Sequence, residues 1–272
     1  MRFVVFYFSG TGNTKWAAEK FQEILVSKGQ QVNLFSADNI STQNLPEIEL
    51  LIKDADILGF ASPIYGGNLP PIMLSLIREI ISAANRNRLC KPIFFISTFA
   101  YINGFGPICT KKLIRHSGLN LIGYLNIKIC NNISRPKLKA RLICRGKLEQ
   151  RKNSAGFKLA EFAERMIKGQ KHIEGIGPYL IANIFIRRKT KKLIRDNYQS
   201  LSVDMNRCKK CMQCVNNCPT HSIWFDDNNF QFASTCTACM RCYNNCPLFS
   251  ILFDGKFAHP EIYFRYHGPE RL

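Results

Sequence analysis

Acidic side chains are scarce in this chain: 19 Asp and Glu stand against 38 Lys and Arg, a formal net charge of +19 over 272 residues. Such an imbalance argues against a basic partner and suits an acidic protein, an anionic membrane surface or nucleic acid. The excess is local, because residues 133–200 hold 18 basic and 5 acidic groups while residues 1–132 hold 13 and 8, and residues 201–272 hold 7 and 6. Within the middle, "GIGPYLIANIFIRRKTKKLIRD" runs an apolar stretch into a basic cluster, a pattern that suits docking to a membrane surface or an acidic partner. Long apolar spans are also missing. The longest uncharged run, Pro92 to Thr110, is interrupted by Asn103, Gly104, Gly106 and Pro107, and reads as strand plus loop rather than a membrane helix. "MRFVVFYF" breaks at a glycine turn without a cleavage-like site, so no secretory leader is expected.

Two nucleotide motifs are absent as well. In "FYFSGTGNTKWAAEK", residues 6–20, Gly10 and Gly12 stand too close for GxxxxGK[ST], and Lys15 occupies the third glycine of GxGxxG. A nucleoside triphosphate or a dinucleotide is therefore disfavoured. What is present is an apolar strand, a turn of two glycines and three hydroxyls (Ser9, Thr11, Thr14), and a helix-like run. Amide groups at a helix start lack internal partners and the helix dipole favours negative charge there, so a phosphate is the expected guest.

Cysteine usage is the most specific signal. Cys90, Cys109, Cys130 and Cys144 are scattered and read as small core residues, whereas eight cysteines fall in "CKKCMQCVNNCP" and "CTACMRCYNNCP", the second repeating the first 28 residues later. A disulfide scaffold has no need of two identical spacings ending in Cys-Pro. Zinc ribbons use pairs of CxxC, and a third cysteine at that spacing is one ligand too many. The spacing resembles the bacterial two-cluster ferredoxin run, in which the fourth cysteine ligates the other cluster. That resemblance implies two 4Fe-4S clusters, one on Cys208, Cys211, Cys214 and Cys246, the other on Cys236, Cys239, Cys242 and Cys218. Ile223 and Ile251 are placed to cover the clusters with apolar side chains.

An iron-sulfur module moves single electrons, which turns attention to a redox-active guest for the phosphate loop. "RFVVFYF", "QQVNLFS", "DILGFAS", "PIFFIST" and "NLIGYLNIKI" read as five strands, with helix-like stretches between several of them. "TKWAAEKFQEILVSKG" carries Trp16, Ala17, Phe21, Ile24 and Leu25 on one face. Alternation of this kind predicts a doubly wound parallel sheet covered on both faces, with ligands at the carboxyl ends of its strands. Loops 9–14, 62–71 and 98–106 are expected to meet at that edge.

Ser9-Gly10-Thr11-Gly12-Asn13-Thr14 resembles the phosphate loop of the flavodoxin family, which binds the FMN phosphate with neutral donors. The resemblance implies FMN. It implies a ring held by the later loops through Ser62, Pro63, Ile64, Tyr65, Gly66, Gly67 and Asn68, and through Thr98, Phe99, Ala100, Tyr101 and Gly104. Tyr65 and Tyr101 are its stacking positions, and Gly66 or Gly67 its contact to flavin N5. Free flavodoxins are typically acidic, unlike this chain.

As a whole, the chain resembles the flavodoxin-ferredoxin fusion proteins. The expected organisation is a flavodoxin-like five-stranded α/β domain over 1–145, a basic helical connector over 146–200, a small α+β two-cluster ferredoxin domain over 201–252 and a C-terminal extension over 253–272. The expected function is electron transfer between FMN, two 4Fe-4S clusters and redox partner proteins, probed against two alternatives. One is an FMN-dependent reductase of a small molecule; the other is a module docked to an anionic membrane surface through its basic connector. The three loops hold no His, Asp or Glu, which favours a relay over an enzyme, and no catalytic residue is assigned. Two oxidised clusters and FMN together add about −6, so the holoprotein stays basic and acidic partners are expected, with no nucleic acid. Oxygen-sensitive cofactors make an anaerobic, reducing cytoplasm the expected compartment.

Overall fold

Each apolar run of the first half becomes a strand of one sheet. The protein is described by a computed structural model over residues 1–40, 45–100, 103, 105–130, 145–175, 196–257 and 268. Strands β1 (Arg2–Tyr7), β2 (Gln31–Ser36), β3 (Ile57–Pro63), β4 (Lys91–Phe99), β5 (Leu119–Lys128) and β6 (His172–Ile173) lie in the order β2-β1-β3-β4-β5-β6. All pairs are parallel. Over its first five strands this is the flavodoxin-like order, whose switch point lies between β1 and β3. The sequence predicts five strands for this sheet, and among the described residues it has six. The added β6 is two residues long, pairing with Gly123 and Tyr124, too short for any alternation to show.

Helices cover both faces. Beneath α2 (Leu45–Asp54), α3 (Pro71–Arg86) and α4 (Pro107–Ile114), Val4, Phe6, Leu58, Phe60 and Phe95 pack against Ile48, Ile52, Met73, Ile77, Ile80 and Ile114. On the opposite face α1 (Asn13–Ser27) and α5 (Arg145–Ile167) close over Phe3, Val5, Phe94 and Ile96. Aromatic rings at matching positions stack across four neighbouring strands, Phe6 on Phe60 at 6.0 Å, Phe60 on Phe95 at 5.8 Å and Phe95 on Tyr124 at 5.7 Å. Cross-strand pairs of this kind fix register, and with it the loops at the strand ends.

The reading of 146–200 as a connector differs from the structure at its start. Helix α5 buries Leu148, Leu159, Phe162 and Met166 in the same core as Phe21 of α1, so it is a covering helix of the sheet. Its basic outer face hides that role in the composition.

The C-terminal part is built on the 28-residue repeat. Strand β7 (Leu201–Val203) pairs antiparallel with β10 (Ile251–Phe253), and β8 (Ile223–Asp226) with β9 (Asn229–Phe232), with short helices α6 (Gln213–Asn216) and α7 (Arg241–Asn245) between. Equivalent residues share left-handed backbone: Lys210 and Ala238 at φ 53° and 52°, Met212 and Met240 at 58° and 59°, His221 and Phe249 at 48° and 54°. Among the described residues no helix is long and apolar enough to cross a membrane.

Candidate redox site

The loop after β1 enters α1 through Gly12, whose φ of 106° and ψ of −22° place it in the left-handed region that favours glycine. Its amide donates to Ser9 Oγ at 3.1 Å, Thr14 Oγ1 meets Thr98 Oγ1 at 2.7 Å, and Asn13 Nδ2 donates to the Cys130 carbonyl at 3.2 Å. No side chain caps α1. Gly10 and Thr11 are buried and Gly12 half-buried.

After β3, Ser62 and Pro63 are buried as the last residues of the strand, and the Ile64 amide donates to the Thr98 carbonyl at 2.9 Å. Tyr65 and Asn68 then exchange backbone hydrogen bonds at 2.9 and 3.0 Å around Gly66 and Gly67, both at positive φ, as a type I′ turn requires. Phe99 ends β4 and Ala100 follows it, both half-buried. Tyr101 and Gly104 lie outside the described residues, as do Tyr263, Phe264, Tyr266 and the basic cluster near 187–192.

Sequence reasoning missed what lies on top of the first loop. A Cβ added to Gly10 would stand 2.6 Å from the Cys239 carbonyl oxygen, 3.0 Å from Cys239 Cβ and 2.4 Å from the Tyr65 hydroxyl. Arg241, two residues on, donates from Nη2 to the Ser9 carbonyl at 2.7 Å and from Nε to the Gly10 carbonyl at 3.2 Å. It also pairs with the Asp38 carboxylate at 2.6 Å and donates to the Asn217 carbonyl at 3.2 Å. One half-buried guanidinium therefore ties the ends of β1 and β2 to both halves of the cysteine repeat. The C-terminal extension reaches the same loop, where a Cβ on Gly268 would lie 3.2 Å from the Gly12 Cα. No motif marks Arg241 or Asp38, since the partners belong to different domains.

The eight repeat cysteines line two cavities. Cys208, Cys211, Cys214 and Cys246 surround one, together with Met212, Phe230 and Ile251. Cys218, Cys236, Cys239 and Cys242 surround the other, with Ile223 and Thr237. Each set takes its fourth member from the other half of the repeat. Backbone amides of Lys210, Ala238, Ser222 and Ser250 approach the sulfurs of Cys208, Cys236, Cys218 and Cys246 at 3.4, 3.4, 3.3 and 3.2 Å, again in pairs 28 residues apart. Burial pushes the Cys214 and Cys236 thiols up to about 11 and Cys242 well above its ordinary value. Such pockets disfavour bare thiolates and suit ones neutralised by bound metal. Among the described residues no three His, Cys, Asp or Glu side chains form a group able to hold a single metal ion.

Residues 200–248 match the model of a 4Fe-4S dicluster domain, and this part of the chain holds two 4Fe-4S clusters. No curated protein matches the sequence. Solved structures similar to the chain include the flavodoxin of Streptococcus pneumonia TIGR4 (17% identity, TM-score 0.42, covering 62% of this chain and 99% of that one). A flavodoxin from the domain Archaea is similar at 18% identity and TM-score 0.40, covering 60% and 99%. A flavo di-iron protein of Thermotoga maritima follows at 20% identity and TM-score 0.43, covering 61% and 35%. By its own strand order, then, the chain joins a flavodoxin-like α/β domain to a 4Fe-4S dicluster domain.

Proposed function

We propose that this chain is an electron-transfer iron-sulfur flavoprotein, in which FMN at the carboxyl edge of the sheet exchanges electrons with redox partner proteins through two 4Fe-4S clusters. The observation that carries the reading is the seam: Cys239 lies against Gly10 of the loop after β1, with Arg241 holding the carbonyls of Ser9 and Gly10. Electron transfer falls off steeply with distance, and this contact brings a cluster ligand to the edge of the phosphate loop.

The residues at that edge fit FMN. In the flavodoxin-like order the cofactor belongs at the β1/β3 switch point, where the loops bearing Ser9–Thr14 and Ile64–Asn68 leave the sheet. The uncapped start of α1, Gly12 in its left-handed conformation and the hydroxyls of Ser9, Thr11 and Thr14 make a neutral donor set for a phosphate. Gly66, Gly67 and the residues around Thr98 flank the same edge and are the positions for the ring. FMN supplies chemistry in which two electrons are taken together and passed on singly. The chain's part is to bind the phosphate without a cation and to fix the cofactor beside Cys239.

By the same reading Cys218, Cys236, Cys239 and Cys242 ligate an inner cluster at the seam, and Cys208, Cys211, Cys214 and Cys246 an outer one. Cys211 is exposed, with Lys209 and Lys210 exposed beside it, which supports an acidic partner docking over the outer cluster. An anaerobic reductive titration of freshly purified protein, followed by visible absorbance, tests the whole reading. Uptake of about four electrons, two for FMN and one per cluster, with flavin and cluster bands both bleaching, is expected. Uptake of about two with no flavin band would remove FMN and leave the dicluster module standing.

A further inference from the structure

Three described side-chain hydroxyls are buried with no hydrogen-bond partner: Tyr65, Thr237 and Ser250. Leaving a buried donor unpaired costs about 1–3 kcal/mol, and folded proteins seldom tolerate it. Two of them line the cysteine cavities. Thr237 lines the cavity of Cys218, Cys236, Cys239 and Cys242, and Ser250 lines that of Cys208, Cys211, Cys214 and Cys246. Tyr65 comes from the other domain, and its hydroxyl and Cys239 both crowd the space where a Gly10 Cβ would stand. Thr237 lies beside the Cys239 thiol and Tyr65 beside the Gly10 backbone.

Repeat symmetry sharpens the point. Ser222, the counterpart of Ser250, satisfies its hydroxyl at 2.7 Å from both Thr220 and Thr235. The counterpart of Thr237 is Lys209, which is exposed. The unpaired hydroxyls are thus particular to their positions and are not a general feature of the repeat.

We propose that Tyr65, together with Thr237, donates a hydrogen bond to the sulfurs of the cluster held by Cys218, Cys236, Cys239 and Cys242, so that the sheet domain itself sets the potential of that cluster. Tyr65 acts here as a positioning and tuning residue, and the inference rests on the two-cluster reading but does not need FMN. Donation to sulfur withdraws negative charge, stabilises the reduced cluster and raises its potential. Tyr65→Phe removes one atom and leaves the ring packing in place. Ser250 faces the other cavity and serves as the contrast.

The test is a potentiometric titration of the holoprotein followed by electron paramagnetic resonance, with iron content and circular dichroism matched to wild type. Tyr65→Phe is expected to lower one of two midpoints, Thr237→Val the same one, and Ser250→Ala the other. Wild-type protein without two cluster signals would defeat the two-cluster reading itself. With both signals present, the proposal alone is overturned if Tyr65→Phe moves neither midpoint, moves both equally, or moves the one that responds to Ser250→Ala.

Discussion

Gly10 carries two requirements at once. As a member of the loop after β1 it was readable from the sequence, because a glycine and hydroxyl turn before a helix has a known use for anions. Its second requirement was not readable, because the atoms that crowd it, the Cys239 carbonyl and the Tyr65 hydroxyl, arrive from elsewhere in the chain. A methyl group at Gly10 cannot be absorbed by a side-chain rotation when the nearest backbone atom would be 2.6 Å away. Gly10→Ala is therefore expected to destabilise the protein by about 1–3 kcal/mol, as overpacking does. Gly156 is the control, since it lies within α5 with nothing within 4 Å of an added Cβ, and Gly156→Ala is expected to stabilise by about 0.5–1 kcal/mol. Urea midpoints of the holoprotein decide the matter, and equal midpoints for the two variants would show that the seam does not constrain Gly10.

Helix α5 shows how an element can be visible while its place is not. Leu148, Ala155, Leu159, Phe162, Ala163 and Met166 follow the three- and four-residue spacing of one buried face, but basic side chains dominate the rest and suggest a solvated connector. The inner strands were legible for the opposite reason: buried on both faces, they show as short, almost continuous apolar runs, as in β3, where every residue is buried. Phe162 packs on Phe21 at 5.8 Å and on Phe94 at 5.7 Å, with its ring over Gly123. Phe162→Ala is expected to cost the sheet domain about 3–5 kcal/mol. Phe157, 78% exposed on the same helix, sets the comparison, because Phe157→Ser is expected to change stability by no more than about 0.5 kcal/mol. A small effect of both substitutions on the denaturant midpoint would return α5 to the status of a connector.

The whole molecule sets a broad aromatic core against a small one. Under the sheet the packed residues run through every strand and helix, whereas the cysteine-rich part packs Leu201, Ala238, Met240, Tyr243, Ile251 and Phe253 in one small cluster, with Ile223 and Phe230 also buried and partly buried cysteines around it. A core of that size is marginal by itself, and small domains of this kind depend on bound metal for folding energy. The cysteine repeat made this part the most legible in the sequence, yet nothing in the spacing says where it docks, because docking depends on Arg241, Asp38 and the carbonyls of Ser9 and Gly10. Those two facts combine into a prediction. Removing iron with a chelator under anaerobic conditions should abolish amide-exchange protection across 201–253 while α1, α3 and α5 stay protected. Residues 9–14 should lose protection with the cysteine-rich part, since Cys239 and Arg241 leave them when it unfolds. Loss of protection throughout the sheet would mean that the two domains fold as one unit. Persistence of protection at 9–14 would mean that the loop keeps its conformation without the domain that covers it.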